Sequence, residues 1–162
     1  MPETVMTLIF GAVVLLFGIT LTAAFAGIRN VRENIPAFLG LYALCSGLQL
    51  AAIALVSEAY VWKLYPVITH LPLIALLCIR YRKSLPTALA ATFTAYLCCE
   101  PAKWAGVLTL QITDSPVWEL TVRLAVLLAV GYIALFHVST CLSDIFNKDR
   151  RSVSIFGMVP TV

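Results

Sequence analysis

Charge is what this chain lacks most. Only 12% of its 162 residues are Asp, Glu, Lys or Arg, where a soluble domain carries about a quarter. A chain of this length forms one domain, and so few charges cannot cover a surface facing water. The net charge is +3, and the basic residues are spread along the chain. No basic patch is available for nucleic acid, so none is expected as a partner. Catalytic signatures are also missing. No GxxxxGK[ST], HExxH, GxSxG or GxGxxG occurs, which gives no reason to expect an enzyme or a cofactor. The five cysteines, Cys45, Cys78, Cys98, Cys99 and Cys141, include no CxxC pair. No metal site or dithiol redox motif is expected, and the thiols read as small apolar packing groups. The alternating pattern of a membrane β-barrel is absent too.

What the chain has instead is 61% hydrophobic residues and a mean hydropathy of +0.96. Lipid is the solvent this composition suits. In lipid, backbone polar groups must be satisfied within the segment, so long apolar runs must be helices of about 20 residues. Five such runs are present, at about 4–28, 35–56, 60–79, 85–112 and 117–141. The expected fold is therefore all-α, a polytopic bundle of about five transmembrane helices in the cell membrane. Residues 1–152 form the bundle, and 153–162 begin a further helix or a disordered tail. The first run resembles a signal peptide only in Ala24-Phe25-Ala26. Its flank carries Glu3 and no base, and its apolar stretch is too long, so it reads as a retained helix. Pro36 is expected in the first turn of the second helix, where its missing N–H is harmless.

The connections alternate in charge. Arg29 and Arg32 follow the first helix, Arg80, Arg82 and Lys83 the third, and Lys148, Arg150 and Arg151 the fifth. The other two connections hold Glu58, Asp114 and Glu119, with Lys63 the one nearby base. Lysine and arginine favour the cytoplasmic side, which puts the N-terminus outside and the C-terminus in the cytoplasm. Tyr60, Trp62, Tyr65 and Trp118 then fall at the outer interface, where such rings settle.

Ionisable groups inside a bilayer are costly and default to functional candidates. Glu100 and Lys103 are three apart and share a helix face. Pro101 between them frees the carbonyl of Leu97 and breaks the helix near 99–104. They form either a polar pocket open to the outside or a kinked helix with an internally satisfied pair. His70 lies near the bilayer centre between the helix-loosening Pro66 and Pro72. It can sense protons or bind a ligand, or simply hydrogen-bond a freed carbonyl. Arg123 lies at a depth similar to Lys103. It can capture an anionic group or pair with Glu100, Asp114 or Glu119. Gln49 matches His70 in depth. His137 has no evident partner. Ala91 and Ala95 offer a small-residue face for close packing.

The stretch Leu64-Tyr65-Pro66-Val67-Ile68-Thr69-His70-Leu71-Pro72, with Thr94-Ala95-Tyr96-Leu97-Cys98-Cys99 and Trp104, resembles the N-terminal membrane region of GHKL-type sensor histidine kinases of Gram-positive anaerobes. Arg150-Arg151-Ser152 and Ile155-Phe156-Gly157-Met158-Val159-Pro160 resemble the start of that region's next helix. The resemblance implies the signal-sensing part of a two-component kinase. It also implies a homodimer formed through a kinase part this sequence does not contain, and a small-molecule or peptide signal. The alternatives are a small ligand-binding or transport subunit acting with a partner, and an assembly subunit without a ligand.

Overall fold

A computed structural model describes residues 2–28, 31–55 and 64–148. These residues are helical throughout apart from short turns, with no strand among them. Helix α1 spans Pro2–Phe25 and α2 Val31–Leu55. A π-turn, Pro66–His70, leads into α3, Leu71–Ile79. Helices α4, Leu85–Leu97, and α5, Glu100–Thr113, follow. Helix α6, Pro116–Ile133, passes through a second π-turn, Ala134–Val138, into α7, Ser139–Lys148. The expected start of the third helix at residue 60 lies outside the described residues, as do Arg29, Glu58, Tyr60, Trp62, Lys63, Arg150, Arg151 and the tail 153–162.

Local chemistry sets the boundaries and corrects three of those expected. Helix α1 stops at Phe25, not 28, because Gly27 takes a positive φ of 71°. Ile28 N–H then donates to the Ala23 carbonyl and Gly27 N–H to that of Ala24, both at 3.0 Å. This is the six-to-one and five-to-two pattern that closes a helix on glycine. Helix α2 begins at Val31 instead of 35, so Pro36 sits inside the helix and not in its first turn. The break expected in the fourth span near 99–104 is present, at Cys98 and Cys99. Pro101 falls in the first turn of α5, where a missing donor has no consequence. The last span does not end at 141. It continues through the π-turn to Lys148, because Leu142 and Phe146 have a core to join.

Helix α1 is the central element. Leu21, Phe25 and Ala26 are fully buried against Ala88, Ala91 and Ala95 of α4, Ile74 and Leu77 of α3, and Leu142 and Phe146 of α7. The alanine face of α4 lets the two backbones approach closely, as expected of Ala91 and Ala95. Ser84 caps α4 by accepting from Thr87 N–H at 3.4 Å, and the Thr87 hydroxyl donates to the buried carbonyl of Phe146 at 3.1 Å. Nearby, Lys83 is half-buried, and that burial holds its ammonium below the ordinary lysine pKa. A second cluster joins Leu15 and Ile19 of α1 to Leu41 and Cys45 of α2 and Leu73 of α3. The buried set includes Thr22, Thr69, Thr87, Thr92 and Ser143, while Leu39, Leu55, Ile79, Ile112, Leu128 and Phe136 are exposed. An apolar exterior this broad is not a soluble surface.

Among the described residues, three helices are long and apolar enough to cross a membrane: Leu8–Phe25, Glu33–Ile53 and Pro116–Phe146. The apolar helix Pro66–Ile79 is shorter. It covers about 21 Å at about 1.5 Å per residue. The span made by α4 and α5 is divided at Cys98.

Candidate functional site

The break between α4 and α5 and the start of the π-turn ahead of α3 both line one cavity. It has a volume of about 300 Å³ and is lined by Phe10, Gly11 and Val14 of α1, by Tyr65 and Pro66, and by Tyr96, Cys99, Glu100 and Lys103. A small-molecule pocket begins at about this size. The cavity lies toward the end of the bundle at which α1 starts.

Why these side chains converge follows from the local backbone. Cys99 N–H turns back to the Tyr96 carbonyl at 2.9 Å, tightening the end of α4 before α5 starts. Glu100 then occupies the first turn of α5, where the helix dipole favours a carboxylate. Its carboxylate meets the Lys103 ammonium at 3.7 Å, beyond the reach of a direct hydrogen bond. The Lys103 side chain is 60% exposed and that of Glu100 27%, so the base can swing away while the acid stays. Tyr96, four residues earlier, lines the same cavity as Glu100. Glu100 thus faces α1 and the Tyr65 segment across the cavity.

His70 sits at the other end of the π-turn. Three rings meet it edge-on: Tyr65 at 6.0 Å, Phe93 at 6.2 Å and Tyr96 at 5.2 Å between centroids. The expected bond from His70 to a freed carbonyl does not form. Pro72 has no N–H for the Ile68 carbonyl, and the Cys45 thiol of α2 approaches that oxygen instead at 3.6 Å. The carbonyl of Tyr65 is taken by the Thr69 hydroxyl at 2.7 Å. A small chamber of about 30 Å³ lies beside His70 and shares Val14, Tyr65, Tyr96 and Cys99 with the larger cavity.

Arg123 lines no cavity with Glu100 and Lys103. It pairs with Glu119 one turn earlier on α6, one of the partners anticipated. Its guanidinium lies 5.1 Å from the centre of the Phe10 ring, within cation–π range. Its stem packs on Gly106, where an added Cβ would collide with it. Arg123, Glu119 and Asp114 line a separate cavity of about 360 Å³, and Phe10 borders both. Gln49 lines neither cavity; its amide nitrogen is buried without a hydrogen-bond partner. His137 is exposed and meets Tyr132 edge-on at 6.1 Å.

Sequence reasoning missed Phe10, Gly11, Tyr65, Tyr96 and Thr22 as lining residues. Tyr96 was within reach, since it precedes Glu100 by four residues and so shares its helix face. Comparison of the chain with protein-family models, with curated proteins and with solved structures found no match.

Proposed function

We propose that this chain is a five-span membrane protein, with its N-terminus outside and its C-terminus in the cytoplasm, that receives a small-molecule signal in the cavity at Glu100. The observation that carries this reading is the placement of the cavity. Its walls include a helix break and the start of a π-turn, both irregular segments with backbone groups outside the regular ladder. π-turns of this kind recur at functional sites. An occupant that favours one arrangement of these walls over another shifts the equilibrium between them, which is what reception requires.

The charged pair supports ligand capture over simple assembly. A packing subunit has no need of a carboxylate in its membrane region, where an unpartnered one costs about 2.5–3.5 kcal/mol. The proposed output is a cytoplasmic histidine kinase, and that part rests on the sequence resemblance at 64–72, 94–99 and 104. If the chain is the sensing region of such a kinase, the gene's reading frame continues past the Val162 codon into a kinase part and an ATP-binding domain.

The test is a reporter driven by the cognate response pathway, with membrane abundance measured in parallel. Glu100→Gln and Lys103→Gln should each change reporter output at normal abundance. Wild-type output from both, across pH, makes the pair structural and removes the reading.

A further inference from the structure

Six threonines in these helices are satisfied in one way, Thr87 in another by the Phe146 carbonyl, and Thr22 in neither. The hydroxyls of Thr20, Thr69, Thr92, Thr109, Thr113 and Thr121 each donate to the carbonyl four residues back, at 2.7–2.8 Å. This is the usual way a hydroxyl is satisfied within a membrane helix. Thr22 is buried in the last turn of α1, yet its hydroxyl has no partner. On a different element, His70 Nδ1 is also buried without a partner. Thr22 and His70 line the same chamber of about 30 Å³. Leaving such a group unsatisfied costs about 1–3 kcal/mol. Two in one small chamber therefore point to something that satisfies both.

The chamber's size limits what that is. A water needs about 10–15 Å³ of accessible space and two to four polar partners. At about 30 Å³ the chamber admits two or three waters at most and nothing much larger. We infer that Thr22 and His70 hold a structural water between α1 and the π-turn, and that this water is the inner end of a hydrated path from the Glu100 cavity. The Thr22 hydroxyl donates to the water oxygen, and one water O–H donates to His70 Nδ1. Nδ1 is then an acceptor, so the imidazole proton resides on Nε2.

The path has one open side. Toward the Glu100 cavity the chamber shares Tyr65, Tyr96 and Cys99 with the larger space. In the other direction it ends on Ile19 and Leu73, both almost fully buried, with Leu21 and Leu77 beyond in the apolar core. Of the chamber's other hydroxyls, that of Thr92 is committed to the Ala88 carbonyl at 2.8 Å. His70 therefore exchanges protons with whichever side the cavity faces. The groups around it are Tyr65 and Thr69 on its own segment, Tyr96 and Thr92 on α4, Cys99 at the helix break, and Thr22 on α1, with Glu100 and Lys103 at the cavity mouth. This deepens the signal-receiving reading, because it gives the cavity a floor that water reaches. The hydration itself rests on geometry alone.

The experiment is solid-state ¹⁵N NMR on the full chain in lipid bilayers, with magnetisation transferred from water. The expected result is transfer to the His70 imidazole, a spectrum of the Nε2–H tautomer, and loss of the transfer in Thr22→Val. Thr22→Ser, which keeps the hydroxyl, should restore it. Backbone shifts of each variant show that the fold is retained. A His70 ring without water transfer overturns the inference, as does an Nδ1–H tautomer or a transfer that Thr22→Val leaves unchanged. A dry His70 leaves the reporter test at Glu100 standing, so the two readings fail separately.

Discussion

At the scale of single residues, the structure turns on where small side chains meet large ones. Gly131 of α6 faces the Phe17 ring of α1, and a Cβ there would run into it. Gly106 of α5 faces the Arg123 stem in the same way. Gly47 of α2 has nothing within 4 Å of the position its Cβ would take. Overpacking a tight contact costs about 1–3 kcal/mol, whereas alanine in an open helical position is favoured over glycine by about 1 kcal/mol. Gly131→Ala should therefore lower the thermal unfolding midpoint in detergent, and Gly47→Ala should hold or raise it. Gly106→Ala should also lower it, by pushing Arg123 off Phe10 and Glu119. Equal midpoints for Gly131→Ala and Gly47→Ala would show that Phe17 yields without strain. Sequence alone could not pick these glycines apart. All three sit in apolar helices, and only the rotation of each helix decides which one meets a neighbour. The same ignorance of rotation left Glu100, Asp114 and Glu119 all open as partners of Arg123, because equal depth says nothing about which face a side chain takes.

At the scale of elements, proline and glycine were the legible marks. The break before Pro101 and the loosening between Pro66 and Pro72 follow from a missing N–H and a steric clash, and both are present. The second π-turn, Ala134–Val138, contains no proline and left no trace in the sequence. The early stop of α1 was readable in principle from Gly27, but the apolar run continues past it to Ile28, and hydropathy outweighed the cap. The break between α4 and α5 raises a question of cause. Either Pro101 imposes it, or the packing of Cys99, Ala102 and Leu127 does so regardless. If proline is responsible, Pro101→Ala returns the N–H that Leu97 lacks, and the helix closes through Cys98 and Cys99. Spin labels at the exposed positions 86 and 112 would report this. The distance between them should lengthen by several ångströms as the two segments align. An unchanged distance distribution would assign the break to packing.

At the scale of the whole molecule, the two ends of the bundle differ in chemistry, and that difference makes the orientation testable. The turn between α3 and α4 holds Arg80, Arg82 and Lys83, while the turn between α5 and α6 holds Asp114 and Ser115. Those turns lie at opposite ends of the bundle. Asp114 shares a cavity with Met6 near the start of α1, and Tyr81 stacks on Phe38 near the start of α2 at 5.7 Å. Because basic residues favour the cytoplasmic side, the α5–α6 turn should be outside. Cysteine scanning needs care in its choice of sites. Arg82 and Asp114 both take positive φ, 51° and 49°, where a cysteine side chain would be strained. The adjoining exposed positions Arg80 and Thr113 avoid this. The background should replace Cys45 and Cys99 with serine, since their thiols approach the Ile68 and Ala95 carbonyls at 3.6 and 3.4 Å and a hydroxyl keeps the donor. Cys78, Cys98 and Cys141 can become alanine. In intact cells, a membrane-impermeant maleimide should label Thr113→Cys and spare Arg80→Cys until the membrane is permeabilised. The reverse pattern would turn the bundle over, place the Glu100 cavity toward the cytoplasm, and make any signal it takes an internal one.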